Sequence, residues 1–217
     1  THIFKRYTAS MMQIIAKRPM AGKSLPPKKK MKRSADFENA KDPTSFIINA
    51  FEDNGFSEKE IVTKAQSTLQ KLTPSMVEAY TMEASKAARD DDLDTLRMLF
   101  EEGARLDCCN KFGDSLLNIA CRRGHTRIVK FLVEEVKVCV HRADDLKRTP
   151  LHDACWTHEP NFEIVDVLLR AAPMQALCRD NRGAAPFEYA RNQHIVQWLE
   201  FLSERRSLMV LPSTDAQ

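Results

Sequence analysis

Thr149-Pro150-Leu151-His152-Asp153-Ala154-Cys155 is the stretch from which the chain is best read, because its frame recurs on both sides. Upstream stands Gly113-Asp114-Ser115-Leu116-Leu117-Asn118-Ile119-Ala120-Cys121, and downstream Gly183-Ala184-Ala185-Pro186-Phe187-Glu188-Tyr189-Ala190. Each run continues into a second apolar stretch: Ile128, Val129, Phe131 and Leu132, then Ile164, Val165, Leu168 and Leu169, then Ile195, Val196 and Leu199. Ala87-Ala88 followed by Leu93, Leu96, Leu99 and Phe100 foreshadows the pattern. The matched alanines 87, 120, 154 and 190 are separated by 33, 34 and 36 residues. A fixed period of this length is the mark of a stacked repeat array, in which each unit buries its apolar face against its neighbours.

The period resembles that of the ankyrin repeat, and the third unit matches that family's TPLHxA run residue for residue. The resemblance covers about residues 80–205 in four units, approximately 80–110, 111–144, 145–180 and 181–205. It implies an all-α solenoid with short β-turn connections. In that family the Thr caps the first helix, the Pro fits its first turn, the His bonds backbone around the turn, and the Ala pair lets repeats stack closely. Ser115, Leu116 and Asn118 replace Thr, Pro and His in the second unit, which is therefore expected to be less rigid. The third unit has extra residues within 156–161, where Pro160 cannot continue a helix, so a projecting loop is expected. The fourth is shortened at the same point and runs on to Trp198, Phe201 and Leu202 before a solvated Glu204-Arg205-Arg206 cap; residues 206–217 read as a flexible tail.

Ahead of the repeats, residues 36–79 read as short helices. Asp42-Pro43 opens one that Asn54-Gly55 ends, and Ser57 with Glu60 forms a capping box for the next. Thr73-Pro74 opens a third, expected to run through Val77, Tyr80, Ala84 and Ala88. Residues 1–35 form a basic arm. Of the 33 Lys and Arg, ten lie there with no acidic residue, so the 30 acids face 23 bases in the rest of the chain. Residues 17–35 have almost nothing to bury and are expected to be disordered.

Within the arm, Lys28, Lys29, Lys30, Lys32 and Arg33 resemble a nuclear import signal, which points to a nuclear or cytoplasmic address. The competing reading of the arm is phosphate contact in a nucleic-acid-associated regulator, weakened by the lack of aromatic residues among these lysines. Residues 1–18, with Lys5, Arg6, Lys17 and Arg18 and no acid, have the composition of a mitochondrial presequence; since the chain opens on Thr1, Met11 and Met12 are candidate starts. No stretch approaches the roughly 18 consecutive apolar residues of a membrane-spanning helix, and no membrane partner is expected. Six cysteines at small apolar slots read as reduced thiols.

No phosphate-binding, dinucleotide or nucleophile-elbow glycine motif occurs. His152-Asp153-x-Cys155-x-x-His158 could suggest a metal or nucleophile cluster, but His152 and Cys155 fill repeat positions and no second ligand pair has zinc spacing. Asp90, Asp91, Asp92 and Asp94 read as a helix cap and solvated turn rather than a calcium loop. No enzyme activity, cofactor or metal is therefore expected. The resemblance instead implies a protein partner bound in a concave groove by turn tips and exposed faces of the first helices. Those positions are Lys111, Phe112, Asp114, Arg122 and Arg123 in the second unit, Asp145, Leu146, Arg148, Trp156 and Thr157 in the third, and Asn181, Arg182 and Asn192 in the fourth. Phe112, Leu146 and Trp156 with the arginines predict a partner offering acidic and apolar groups.

Overall fold

A computed structural model describes residues 40–209; the basic arm with its import-type cluster, and the chain beyond 209, lie outside the described residues. Capping chemistry sets where the first helices begin. The Asp42 carboxylate accepts the Ser45 N–H at 2.9 Å to open α1 (Pro43–Glu52). The Glu60 carboxylate accepts from both the Ser57 N–H and hydroxyl at the start of α2 (Glu58–Ser67). The helix expected to continue from Pro74 to Ala88 is instead two, α3 (Pro74–Glu78) and α4 (Met82–Asp90). Thr81 is extended between them and its hydroxyl accepts the Ala84 N–H at 3.1 Å, so a fresh cap wins over a continuous apolar face.

The repeats follow as helix pairs: α4 with α5 (Leu93–Glu101), α6 (Leu116–Arg123) with α7 (Thr126–Lys130), and α8 (Pro150–Cys155) with α9 (Phe162–Ala171). A π-helical turn, Phe131–Glu135, extends α7. Asp92 caps α5, as its spacing predicts, by accepting the Thr95 N–H at 3.0 Å. The inner helices α4, α6 and α8 pack side by side. Ala87, Ala120 and Ala154 are buried between them, where a larger side chain would hold the helices apart. In the fourth unit the inner helix shrinks to a 3-10 turn, Pro186–Tyr189, before α10 (Ile195–Ser203). Ala190 there is extended and only half-buried, so the alanine frame persists in sequence after the helix it served has gone.

Residues 40–80 do not stand ahead of the array; they run back along it. Helix α1 packs against α10 and the Pro186–Tyr189 turn, burying Phe46, Ile47, Ala50 and Phe51. Helix α2 lies on the 3-10 turn Pro173–Leu177, and Gln66 Nε2 donates to the Arg179 carbonyl at 2.7 Å. The Gln70 N–H then donates to the His141 carbonyl at 2.9 Å, and the Cys109 N–H to the Met76 carbonyl at 3.3 Å. The segment thus crosses the fourth, third and second units in turn and reaches the end of the first, a strap over the loops that link them. Each large apolar side chain it buries contributes about 1.5–3 kcal/mol.

Residues 206–209, expected as part of a flexible tail, are packed against the rest of the protein. Arg206–Leu208 forms a 3-10 turn, Arg206 pairs with Asp53, and Met209 is fully buried with its carbonyl accepting from Asn54 Nδ2 at 3.3 Å. Arg205 is likewise engaged, pairing with Asp166 and lying 3.9 Å over the Phe201 ring. All six cysteines are free thiols, five of them buried. Burial pushes Cys108 and Cys178 up to about 12 and raises Cys121 and Cys155 strongly, which keeps them protonated and unreactive.

Candidate partner-binding groove

Three turns of one design carry the residues singled out at the tips. In each, a side-chain oxygen accepts two backbone N–H groups ahead of it. Asn110 Oδ1 takes those of Phe112 and Asp114, Asp144 Oδ1 those of Leu146 and Arg148, and Asp180 Oδ1 those of Arg182 and Ala184, all at 2.8–3.1 Å. This is the short-range bonding that makes Asn and Asp turn formers. The turns are also joined to one another: the Asp145 N–H donates to the Phe112 carbonyl and the Asn181 N–H to the Leu146 carbonyl, both at 2.9 Å, while Asn181 Nδ2 donates to the Asp145 carbonyl at 3.0 Å. Asn110, Asp144 and Asp180 were not among the predicted site residues, although their separations of 34 and 36 residues carry the same period as the alanines.

The third turn is locked to the fourth through His152. Its Nδ1 accepts the Thr149 N–H at 3.0 Å, which leaves the Nε2 proton to donate to the Ala184 carbonyl at 3.2 Å. Burial depresses the imidazole's pKa and favours this neutral form. Asn118 does the corresponding work in the second unit by a different route. Its N–H donates to the Ser115 hydroxyl at 3.1 Å, and its Nδ2 reaches across to Asp153 Oδ2 at 2.8 Å, so the substituted second unit is also bonded to its neighbour.

Not every expected contact residue is free to bind. Arg122 holds both oxygens of Asp114 at 2.8 and 3.0 Å and reaches Asp153 at 3.3 Å. Arg148 donates from Nε and Nη2 to Asp144. The buried Asp153 carboxyl is pushed up to about 6 by desolvation, against the opposing pull of Arg122 and Asn118. Asp114, Arg122 and Arg148 are therefore parts of an internal network between the second and third units, and their charges are largely neutralised within the protein. The Thr157 hydroxyl lies 2.7 Å from the Glu159 carbonyl and 3.0 Å from that of Ala154, between which its one proton is shared, and it shapes the inserted loop, which Asn161 ties to the Gly124 carbonyl and Thr126.

The remaining positions face solvent. Phe112 and Leu146 are exposed at consecutive tips, and Trp156 is 51% exposed at the end of α8 with one face against Tyr189, ring centroids 5.0 Å apart. Tyr189 is a further residue missed from sequence; its hydroxyl donates to Asp180, placing the ring beside Trp156. Lys111, Arg123 and Arg182 are exposed and have no carboxylate partner among the described residues. Arg123 and Thr157 share a hollow of about 600 Å³ with the inserted loop. Asn192 is exposed in the 3-10 turn Asn192–His194, and no bond joins it to the other predicted residues. Among the described residues no group of His, Cys, Asp and Glu is placed to hold a metal ion, and no helix is long and apolar enough to cross a membrane.

Comparison with known proteins agrees with this architecture. A family model described as ankyrin repeats in three copies matches residues 84–181, ending where the fourth unit begins. The Escherichia coli K12 protein named "Putative ankyrin repeat protein YahD" is 32% identical over 107 residues, 48% of this chain and 53% of that protein. The Caenorhabditis elegans protein named "Putative glutaminase 2" is 39% identical over 67 residues, 31% of this chain and 11% of that protein. The matches thus span about half the length of the first relative and about a tenth of the second.

Proposed function

Since this chain belongs to the ankyrin-repeat proteins, whose repeats are generally protein–protein interaction modules, we propose that it is a non-enzymatic adaptor holding a protein partner in the groove between its turn tips and inner helices. The observation that carries this reading is the row of exposed apolar groups on bonded, preorganised supports: Phe112 and Leu146 on linked turns, and Trp156 braced by Tyr189. Rigid aromatic groups lose little entropy on binding and dominate interface energetics. Lys111, Arg123 and Arg182 favour a partner with acidic groups beside an apolar anchor, whereas Arg122 and Arg148, paired internally, add little.

Affinity capture from native extract with the wild-type chain, repeated with Trp156→Ala and Arg123→Ala, tests this. Both variants are expected to weaken retention of the same partner by roughly tenfold, with melting lowered by no more than a few degrees. Full retention by both variants would move the binding surface elsewhere. Unfolding of Trp156→Ala would make the indole a core group.

A further inference from the structure

On the flank where the strap meets the turns lies a second concavity, a cleft of about 560 Å³ lined by strap residues Gln66 and 69–72 and by the turns of the second and third units. None of the inner-helix residues that form the groove reaches it. Its apolar wall is Leu69, Leu72 and Phe112, of which Leu72 is 42% and Phe112 53% exposed. The strap holds its side of the cleft through the bond from the Gln70 N–H to the His141 carbonyl.

Charge decides what fits there. Lys71, Lys111 and Lys147 all line the cleft, and none has a carboxylate partner among the described residues. Asp144 also lines it but is engaged by Arg148, leaving Asp145 as the one unpaired acid on its walls. Three like charges around an apolar wall repel one another until an anion enters, so the cleft is complementary to carboxylates flanking an apolar group.

Lys147 adds an independent observation. Its φ is +60°, whereas the corresponding turn positions in the second and fourth units are Gly113 and Gly183, at +83° and +79°. A side chain in the left-handed region is strained, and strain kept where glycine serves elsewhere points to a use for the side chain.

We propose that this cleft, which meets the groove only at the tip residues Lys111, Phe112 and Asp145, is a further docking site, for an extended acidic segment of a protein partner whose apolar side chain enters between Leu72 and Phe112. The lysines set the orientation of the segment through its carboxylates, and the apolar contact supplies most of the affinity. Binding at this site weakens with added salt, because the lysines are solvent-facing.

The test is fluorescence anisotropy with a dye-labelled synthetic peptide carrying two adjacent leucines flanked by glutamates. Control peptides have glutamines for the glutamates or serines for the leucines. Lys147→Gly restores the residue type of the sister turns, so it removes the charge without disturbing the turn, and it is expected to loosen the glutamate peptide by about fivefold while leaving the glutamine peptide unchanged. Leu72→Ser is expected to loosen it by about tenfold. Trp156→Ala, in the groove, is expected to have no effect on this peptide, so failure of the groove reading and failure of this one are distinguishable.

No binding at millimolar concentration, equal binding of the glutamine peptide, or loss with Trp156→Ala but not Leu72→Ser overturns the proposal. So does equal binding of the leucine-free peptide with full displacement by inorganic triphosphate, which would mark a bare anion patch.

Discussion

The repeats and the strap that crosses them are held by contacts of different reach. Within residues 84–181 almost every stabilising bond joins a residue to its own turn or to the matching place in the next unit, as in Thr149 with His152 or Asn118 with Asp153. In the strap, partners are far apart in sequence: Gln66 with Arg179, Gln70 with His141, Asn54 with Met209. An array with only nearest-neighbour contacts is open to fraying from either end. Here the strap joins the second, third and fourth units by contacts that skip neighbours, so local opening of one unit is opposed by its attachment to the others.

Because of that difference, weakening the strap should unfold the repeats. Phe51→Ala deletes a fully buried ring and is expected to cost about 3–5 kcal/mol. Both tryptophans lie in the repeats, Trp156 at the end of α8 and Trp198 in α10 beside the strap, so their fluorescence follows the state of the array. Coincident loss of helical circular dichroism and fluorescence in one lowered transition is the expected result. A strap that melts first, with the tryptophan signal intact, would break the comparison.

The repeat side is sharpened through Asp153, at the joint between the second and third units. Its folded pKa of about 6 lies above the ordinary 3.8, so the folded chain binds the proton more tightly than the unfolded one. The stability this group contributes is fully present below about pH 4 and is lost as pH rises through about 6. The stability of wild type relative to Asp153→Asn should therefore fall between pH 4 and 7, by at most about 3 kcal/mol. A relative stability that rises with pH would mean that Arg122 and Arg148 outweigh desolvation at this joint.

The smallest effect belongs to Lys147. Replacing it by glycine relieves left-handed strain of about 1 kcal/mol. A melting temperature higher by about 2–4 °C is expected. An unchanged or lower value would show that the side chain supports the turn rather than straining it.

The two regions also differed in how plainly sequence revealed them. Repeat positions have local duties, so Thr149, His152 and the spaced alanines disclose the unit and its neighbours together. Capping likewise disclosed the start of α1, α2 and α5. Where two local signals compete, the outcome was less legible: Val77, Tyr80, Ala84 and Ala88 favour one helix, yet the Thr81 cap divides it. The strap's destination could not be read, because nothing in Phe46, Ile47 or Phe51 says that the surface they bury against comes some 150 residues later. The groove was half legible. Tip positions follow from the repeat, whereas the pairing of Arg122 and Arg148 depends on distances between units, and the Asn110, Asp144 and Asp180 turns were overlooked although their period was visible.

The seating of α1 on α10, with Asn54 bonded to the Met209 carbonyl, also has a mechanical consequence. Pulling on the ends of an open solenoid draws its repeats apart in series, like a spring. In this protein a force applied at residues 40 and 209 would act first across the α1–α10 contact, and the repeats would carry little load until that contact parted. Resistance to extension should then appear as one early rupture followed by softer lengthening, set by the residues that join the two ends.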